Sequence, residues 1–138
     1  MLEAAVAGAR ESAADCQILA VTVLTSLDAA ALSNAWGRPV KEVETEVMRL
    51  ASLALDSGVH GIVCGGQEAG AVKARFGNSL ATLVPGIRLA GADRQDQSRV
   101  VTPREAADAG ARYIVLGRAV TAAPSPRNAM SAVLSDLS

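Results

Sequence analysis

The feature that most constrains this chain is a repeated alternation of two patterns. Short apolar runs of strand length at 17–24, 61–64, 80–84 and 113–116 are each followed by segments with helical spacing. Alternation of this kind, with mostly short connections, predicts parallel strands joined by right-handed helical crossovers. Gln17 to Leu24 alternates poorly between apolar and polar residues, which suits a strand buried on both faces. A helix over Met1 to Ala14, with Leu2, Ala5, Val6 and Ala9 on one face, comes before the four strand–helix units. Four units are half of an eight-fold β/α barrel. The expectation is therefore an α/β chain with four parallel strands and five to six helices, residues 1–138 making one partial barrel domain. No strand precedes the first helix, so the chain is read as starting after a strand that has been cut away.

The helices carry their own punctuation. Val40 to Ser57 is the longest, with Val40, Val43, Val47, Leu50, Ala51 and Ala54 in one stripe. Glu42, Glu44, Glu46 and Arg49 are placed mostly outside that stripe, and Gly58 is a plausible stop. Thr102-Pro103-Arg104-Glu105 reads as a capping box with proline at the first helical position. Pro124-Ser125-Pro126 opens the last helix, whose expected buried stripe is Met130, Val133, Leu134 and Leu137. Shorter helices are expected over Asp28 to Asn34 and Gln67 to Phe76.

Composition narrows the function classes. Half the residues are apolar, yet there is only one each of Trp, Tyr and Phe, so Leu, Ile and Val must supply the core. The formal net charge is −1, with no basic run and no aromatic ladder, which argues against nucleic-acid binding. No apolar stretch approaches the ~18–20 residues that span a bilayer. The start shows no signal-peptide pattern. Cys16 and Cys64 stand alone, without metal-ligand spacing, and read as structural thiols of a reducing cytoplasm. His60 is the single histidine; with no partnered acid or serine motif it reads as structural or surface-exposed.

One connection is long. Val84 to Arg99 separates the third strand from the helix start at Thr102, and loops beyond ~12 residues in compact domains are usually functional or disordered. It carries Arg88, Arg94 and Arg99, whose planar forks suit an oxyanion, and Gln97, an amide donor. The fourth strand ends in Gly117-Arg118, where a glycine lets a backbone N–H approach a ligand and the arginine adds charge. Two loops with anion donors after adjacent parallel strands suggest a phosphate site, as in β/α barrels. A solvated polar loop and a surface arginine are the plainer reading of the same residues. Thr25 and Ser26, at the end of the first strand, are both placed to cap the next helix.

Pro85-Gly86-Ile87-Arg88, Asp96-Gln97 and Val115-Leu116-Gly117-Arg118, in this order and spacing, resemble the C-terminal half of bacterial orotidine 5'-phosphate decarboxylases. Ala20 to Ser26 resembles that family's fifth strand, and Val63-Cys64 with Gln67-Glu68-Ala69 its sixth strand and following helix. The resemblance runs through essentially the whole chain and covers about half of a family member. It implies half of a (β/α)8 TIM barrel that binds orotidine 5'-phosphate or UMP without metal or organic cofactor. It also implies the family's cytoplasmic setting and homodimer. Arg88, Gln97, Gly117 and Arg118 would hold the 5'-phosphate, and Thr25 would touch the pyrimidine ring, with the 85–99 loop as lid.

The family's chemistry depends on a Lys-x-Asp-x-x-x-Asp pattern. This chain has two lysines; Lys41 is followed at +2 by Val43 and Lys73 by Arg75, so neither fits. The resemblance thus implies the substrate, while the catalytic cluster is missing and the chain alone is expected not to decarboxylate. Two alternatives remain: a non-enzymatic phosphate- or nucleotide-binding module, and another phosphate-binding barrel enzyme such as a sugar-phosphate decarboxylase or isomerase. A four-stranded piece of barrel also has open edges and a bare apolar inner face, so self-association that closes the half barrel is expected.

Overall fold

A computed structural model describes residues 1–12, 15–91 and 99–138. Four strands, β1 (Leu19–Val21), β2 (Gly61–Val63), β3 (Ala81–Val84) and β4 (Tyr113–Ile114), form one sheet in the order β1-β2-β3-β4, every pairing parallel. Sequential order matters. When each crossover has the same hand and the strand order never reverses, all connecting helices fall on one face of the sheet.

The register shows the consequence. Ala20, Ile62 and Thr82 align across the first three strands, and Val84 aligns with Ile114. All four strand residues of this row up to β3, Ala20, Ile62, Thr82 and Val84, are buried, and Ala20, Ile62 and Val84 belong to one core cluster with the helix residues Val47, Ala51, Ala54, Ala69, Val72 and Ala106. The alternate row, Val21, Val63, Leu83 and Tyr113, points the other way. Its ends are open: Val21 is 62% exposed and Tyr113 42%. β1 is thus buried on one face only, where the poor alternation of 17–24 had suggested both.

Seven helices are present among the described residues: α1 (Leu2–Glu11), α2 (Ala29–Trp36), α3 (Val43–Asp56), α4 (Gly66–Phe76), α5 (Pro103–Asp108), α6 (Arg118–Thr121) and α7 (Pro126–Leu137). The expected five to six lacked α6, a single turn too short to show periodicity. Asp28 caps α2 by accepting from the Ala31 N–H at 2.8 Å. Thr102 and Glu105 close the capping box of α5 reciprocally, at 3.1 and 2.7 Å.

Three details differ from the sequence reading. β1 stops at Val21, and beyond it the Val23 and Leu24 carbonyls accept from Arg99. Glu46 is buried, its carboxylate gripped by Arg38 at 2.7 Å and Arg49 at 3.0 Å, so a charge sits beside the apolar stripe of α3. In α7 only Val133 is fully buried, while Met130 and Leu134 are 40% and 55% exposed. That helix packs on α5 and α6 rather than on the sheet, so a narrower stripe suffices.

Candidate functional site

In open parallel α/β sheets, ligands bind beyond the carboxyl ends of the strands. All four of those ends line one cleft of about 290 Å³. Thr25 reaches it from beyond β1, Arg88 from beyond β3, and Gly117-Arg118 from beyond β4. Val21 and Val115 form part of the apolar wall. Four of the five residues nominated from sequence therefore line one cleft. The fifth, Gln97, lies outside the described residues, as do Arg94 and Asp96.

Each position has a local cause. Gly86 has φ 75°, the left-handed turn that lets the chain double back after β3. Beyond it Ile87 bridges Val101, and the Arg88 N–H donates to the Val101 carbonyl at 3.0 Å. The two stems of the long connection are thereby zipped together. Arg88 is 8% exposed, and its Nη1 donates to the Ile87 carbonyl at 2.9 Å. Thr25 is buried and Arg118 exposed. At Gly117 a Cβ would meet nothing within 4 Å among the described residues.

Arg99 departs from its expected part. Grouped by sequence with the oxyanion donors, it instead spends its fork inside the protein. Nη1 donates to Glu68 Oε1 at 2.5 Å, and Nη2 to the carbonyls of Leu24 at 3.0 Å and Val23 at 3.3 Å. Both Arg99 and Glu68 are buried. Glu68 sits in the first turn of α4, where the helix dipole favours a carboxylate. Glycines make room for this cluster. A Cβ on Gly65 would overlap the Glu68 carboxylate, and one on Gly66 would overlap the Val101 side chain. Cys64, beside them at the end of β2, is fully buried; burial, with Glu68 adding, pushes its thiol up to about 12.

A larger cleft of about 600 Å³ opens at the opposite, amino ends of the strands, with His60, Lys73, Asn78 and Arg112 in its wall. These groups are engaged with one another and with backbone. Lys73 Nζ donates to Asn78 Oδ1 at 2.6 Å, and Arg112 Nε to the Tyr113 hydroxyl at 3.3 Å. His60 Nδ1 accepts from the Ile18 N–H at 3.0 Å, which assigns the ring proton to Nε2 and makes the histidine a strand-pairing residue. Size does not make this cleft the site; its polar groups read as structural.

Comparison with known proteins settles the lineage. The model of the orotidine 5'-phosphate decarboxylase / HUMPS family matches residues 1–133. This chain belongs to that family. It is 49% identical over 124 residues to the orotidine 5'-phosphate decarboxylase of Nitrosococcus oceani, covering 88% of this chain and 52% of that protein. The Moorella thermoacetica decarboxylase is 45% identical over 142 residues, covering 99% and 56%. A solved orotidine 5'-phosphate decarboxylase from Lactobacillus acidophilus superposes with TM-score 0.79 at 28% identity, covering 99% of this chain and 58% of that one. The chain thus spans a little over half the length of the curated relatives it matches. The four-stranded parallel sheet is correspondingly half of a (β/α)8 TIM barrel, and its exposed row from Val21 to Tyr113 lies on the face that a closed barrel turns inward.

Among the described residues, no group of three or more His, Cys, Asp or Glu is placed to hold a metal. No helix among them is long and apolar enough to cross a membrane.

Proposed function

We propose that this chain forms the C-terminal, phosphate- and base-binding half of an orotidine 5'-phosphate decarboxylase site, residues 1–138 being one partial barrel domain. The observation that carries the reading is the convergence of Thr25, Arg88, Gly117 and Arg118, from three strand ends, on one cleft. Arg88 and Arg118 supply charge-assisted donors to a 5'-phosphate. Gly117, with no described neighbour within 4 Å of where a Cβ would sit, keeps a backbone approach open. Gln97 joins them as an amide donor, and Thr25 contacts the pyrimidine ring of orotidine 5'-phosphate or UMP.

The division of labour follows from what phosphate binding does. A grip remote from the reacting carbon holds substrate with energy that is used at the transition state. The proton that takes the place of the departing carboxylate on the ring carbon must come from a lysine in the family's Lys-x-Asp-x-x-x-Asp pattern, which neither Lys41 nor Lys73 offers. The chain alone therefore binds nucleotide and does not turn it over. No cofactor enters this scheme. The missing pattern also favours a second reading, a nucleotide-binding module with no activity of its own.

Self-association belongs to the same proposal. β1 and β4 are edge strands, and Val21, Leu24, Tyr113 and Val115 are each at least 42% exposed on or beside the bare face. Two copies pairing at these edges would cover that face and close the barrel, in the cytoplasm.

Comparing the affinity of the purified chain for UMP with that for ribose 5-phosphate tests the reading. Preference for UMP supports a nucleotide site. Equal affinity would assign the cleft to sugar phosphates at large, and turnover by material free of host enzyme would contradict the division of labour.

A further inference from the structure

The residue that the phosphate reading leaves over is Arg99, and its contacts are specific. We propose that Arg99 is a positioning residue that fixes the base side of the cleft against the phosphate side, through its planar fork and not through charge alone. The proposal rests on the nucleotide reading of that cleft.

Val23 and Leu24, whose carbonyls accept from Arg99 Nη2, immediately precede Thr25. Two residues after Arg99, the Val101 carbonyl accepts from the Arg88 N–H, and Val101 bridges Ile87. One side chain therefore ties the strand end that carries Thr25 to the backbone that carries Arg88. Glu68 holds the other arm of the fork at 2.5 Å, anchoring it to the first turn of α4. Arg99 and Glu68 are 7% and 3% exposed, so water does not compete for these bonds. A pair serving stability alone would need only the opposed charges. The two carbonyl contacts are what a planar guanidinium adds and an ammonium lacks.

Arg99→Lys separates the two roles. Lysine keeps a cation opposite Glu68, but its single nitrogen cannot also reach both carbonyls in that geometry. Glu68→Gln does the converse, removing the charge pair while leaving the fork its carbonyl partners. The full chain and both variants are titrated with UMP and with ribose 5-phosphate, and amide hydrogen exchange is followed without ligand. We expect Arg99→Lys to weaken UMP binding about tenfold, the loss of one or two well-placed bonds. Ribose 5-phosphate binding should change less, and exchange at Thr25, Ser26 and Arg88 should accelerate while β2 and β3 stay protected. Glu68→Gln is expected to lower thermal stability and leave the preference for UMP in place.

Unchanged UMP affinity and unchanged exchange in Arg99→Lys would overturn the proposal. So would equal loss of UMP preference in both variants, which is what a purely structural pair produces. If the unsubstituted chain binds neither ligand, the nucleotide reading fails by itself. The exchange data then decide the positioning role, local acceleration supporting it and no change refuting it. If Arg99→Lys does not fold, Glu68→Gln carries the test: retained preference supports the proposal, and lost preference contradicts it.

Discussion

Arg99 Nη2 donates to the Leu24 carbonyl at 3.0 Å although the two residues are seventy-five positions apart. Through that bond and the Glu68 carboxylate, the stem of the long connection is fastened to the segment after the first strand and to the fourth helix together. Removing one partner of a buried ion pair strands the other charge, at a cost of about 3–5 kcal/mol. Glu68→Ala should therefore destabilise the chain by about that much, and Glu68→Gln, which keeps an acceptor, by clearly less. Denaturant unfolding of the three proteins under identical conditions measures the difference.

Cys64 and Cys16 should behave as opposites. Burial first, then the Glu68 charge, pushes the Cys64 thiol from about 9 up to about 12, whereas Cys16 is exposed. A thiol reagent at mildly alkaline pH should modify Cys16 in the native protein and Cys64 only after unfolding. The linkage has a definite sign. The raised thiol favours the fold while both states stay protonated, and that contribution is lost as pH climbs from about 9 towards about 12. Cys64→Ala should remove this alkaline loss.

Glu46 produces the acid counterpart. The hydrogen bond from Arg38, then that from Arg49, lowers its carboxyl from 4.5 to about 2. A lowered carboxylate stabilises above its unfolded value, so its contribution is intact above about 4.5 and is lost as pH falls towards about 2. Thermal midpoints followed down through that window should fall more steeply for the unsubstituted chain than for Glu46→Gln.

The bare sheet face predicts association. Val21 in the edge strand β1 and Val115 just after the edge strand β4 are 62% and 42% exposed, and edge strands template pairing with another chain. Sedimentation velocity should show dimers or larger species for the unsubstituted chain. Val21→Lys with Val115→Lys should shift it towards monomer. A monomer at every concentration before substitution would rule this closure out.

Much of this was legible in the residues because the signals are local. The capping box at Thr102, the helix end at Phe76 and the strand–helix alternation each follow from neighbours within a few positions, and the structure has them in the order they were read. That Arg88, Gly117 and Arg118 share a cleft follows from their place after strand ends, where a parallel fold must bring loops together, whereas Thr25 read locally as a helix cap and was pointed to only by the family resemblance. The Glu68–Arg99 pair was not legible, because its partners are thirty-one residues apart and each has an ordinary local reading. Glu68 looks like a helix-start acid and Arg99 like one more cation in an arginine-rich loop. Glu46 was missed similarly, since its burial depends on Arg38 folding over it from the turn before α3. The exposure of Met130 and Leu134 reflects packing against small helices rather than a sheet, which apolar spacing alone does not distinguish.

The central claim is that the phosphate- and base-binding half of the site is assembled within this chain. A calorimetric titration of the purified chain with UMP, repeated with Arg118→Ala, tests it most directly. The account predicts saturable binding that the substitution abolishes or weakens by at least about tenfold, as loss of a charge-assisted contact to phosphate requires. No heat of binding at millimolar UMP, or binding indifferent to Arg118→Ala, would contradict it.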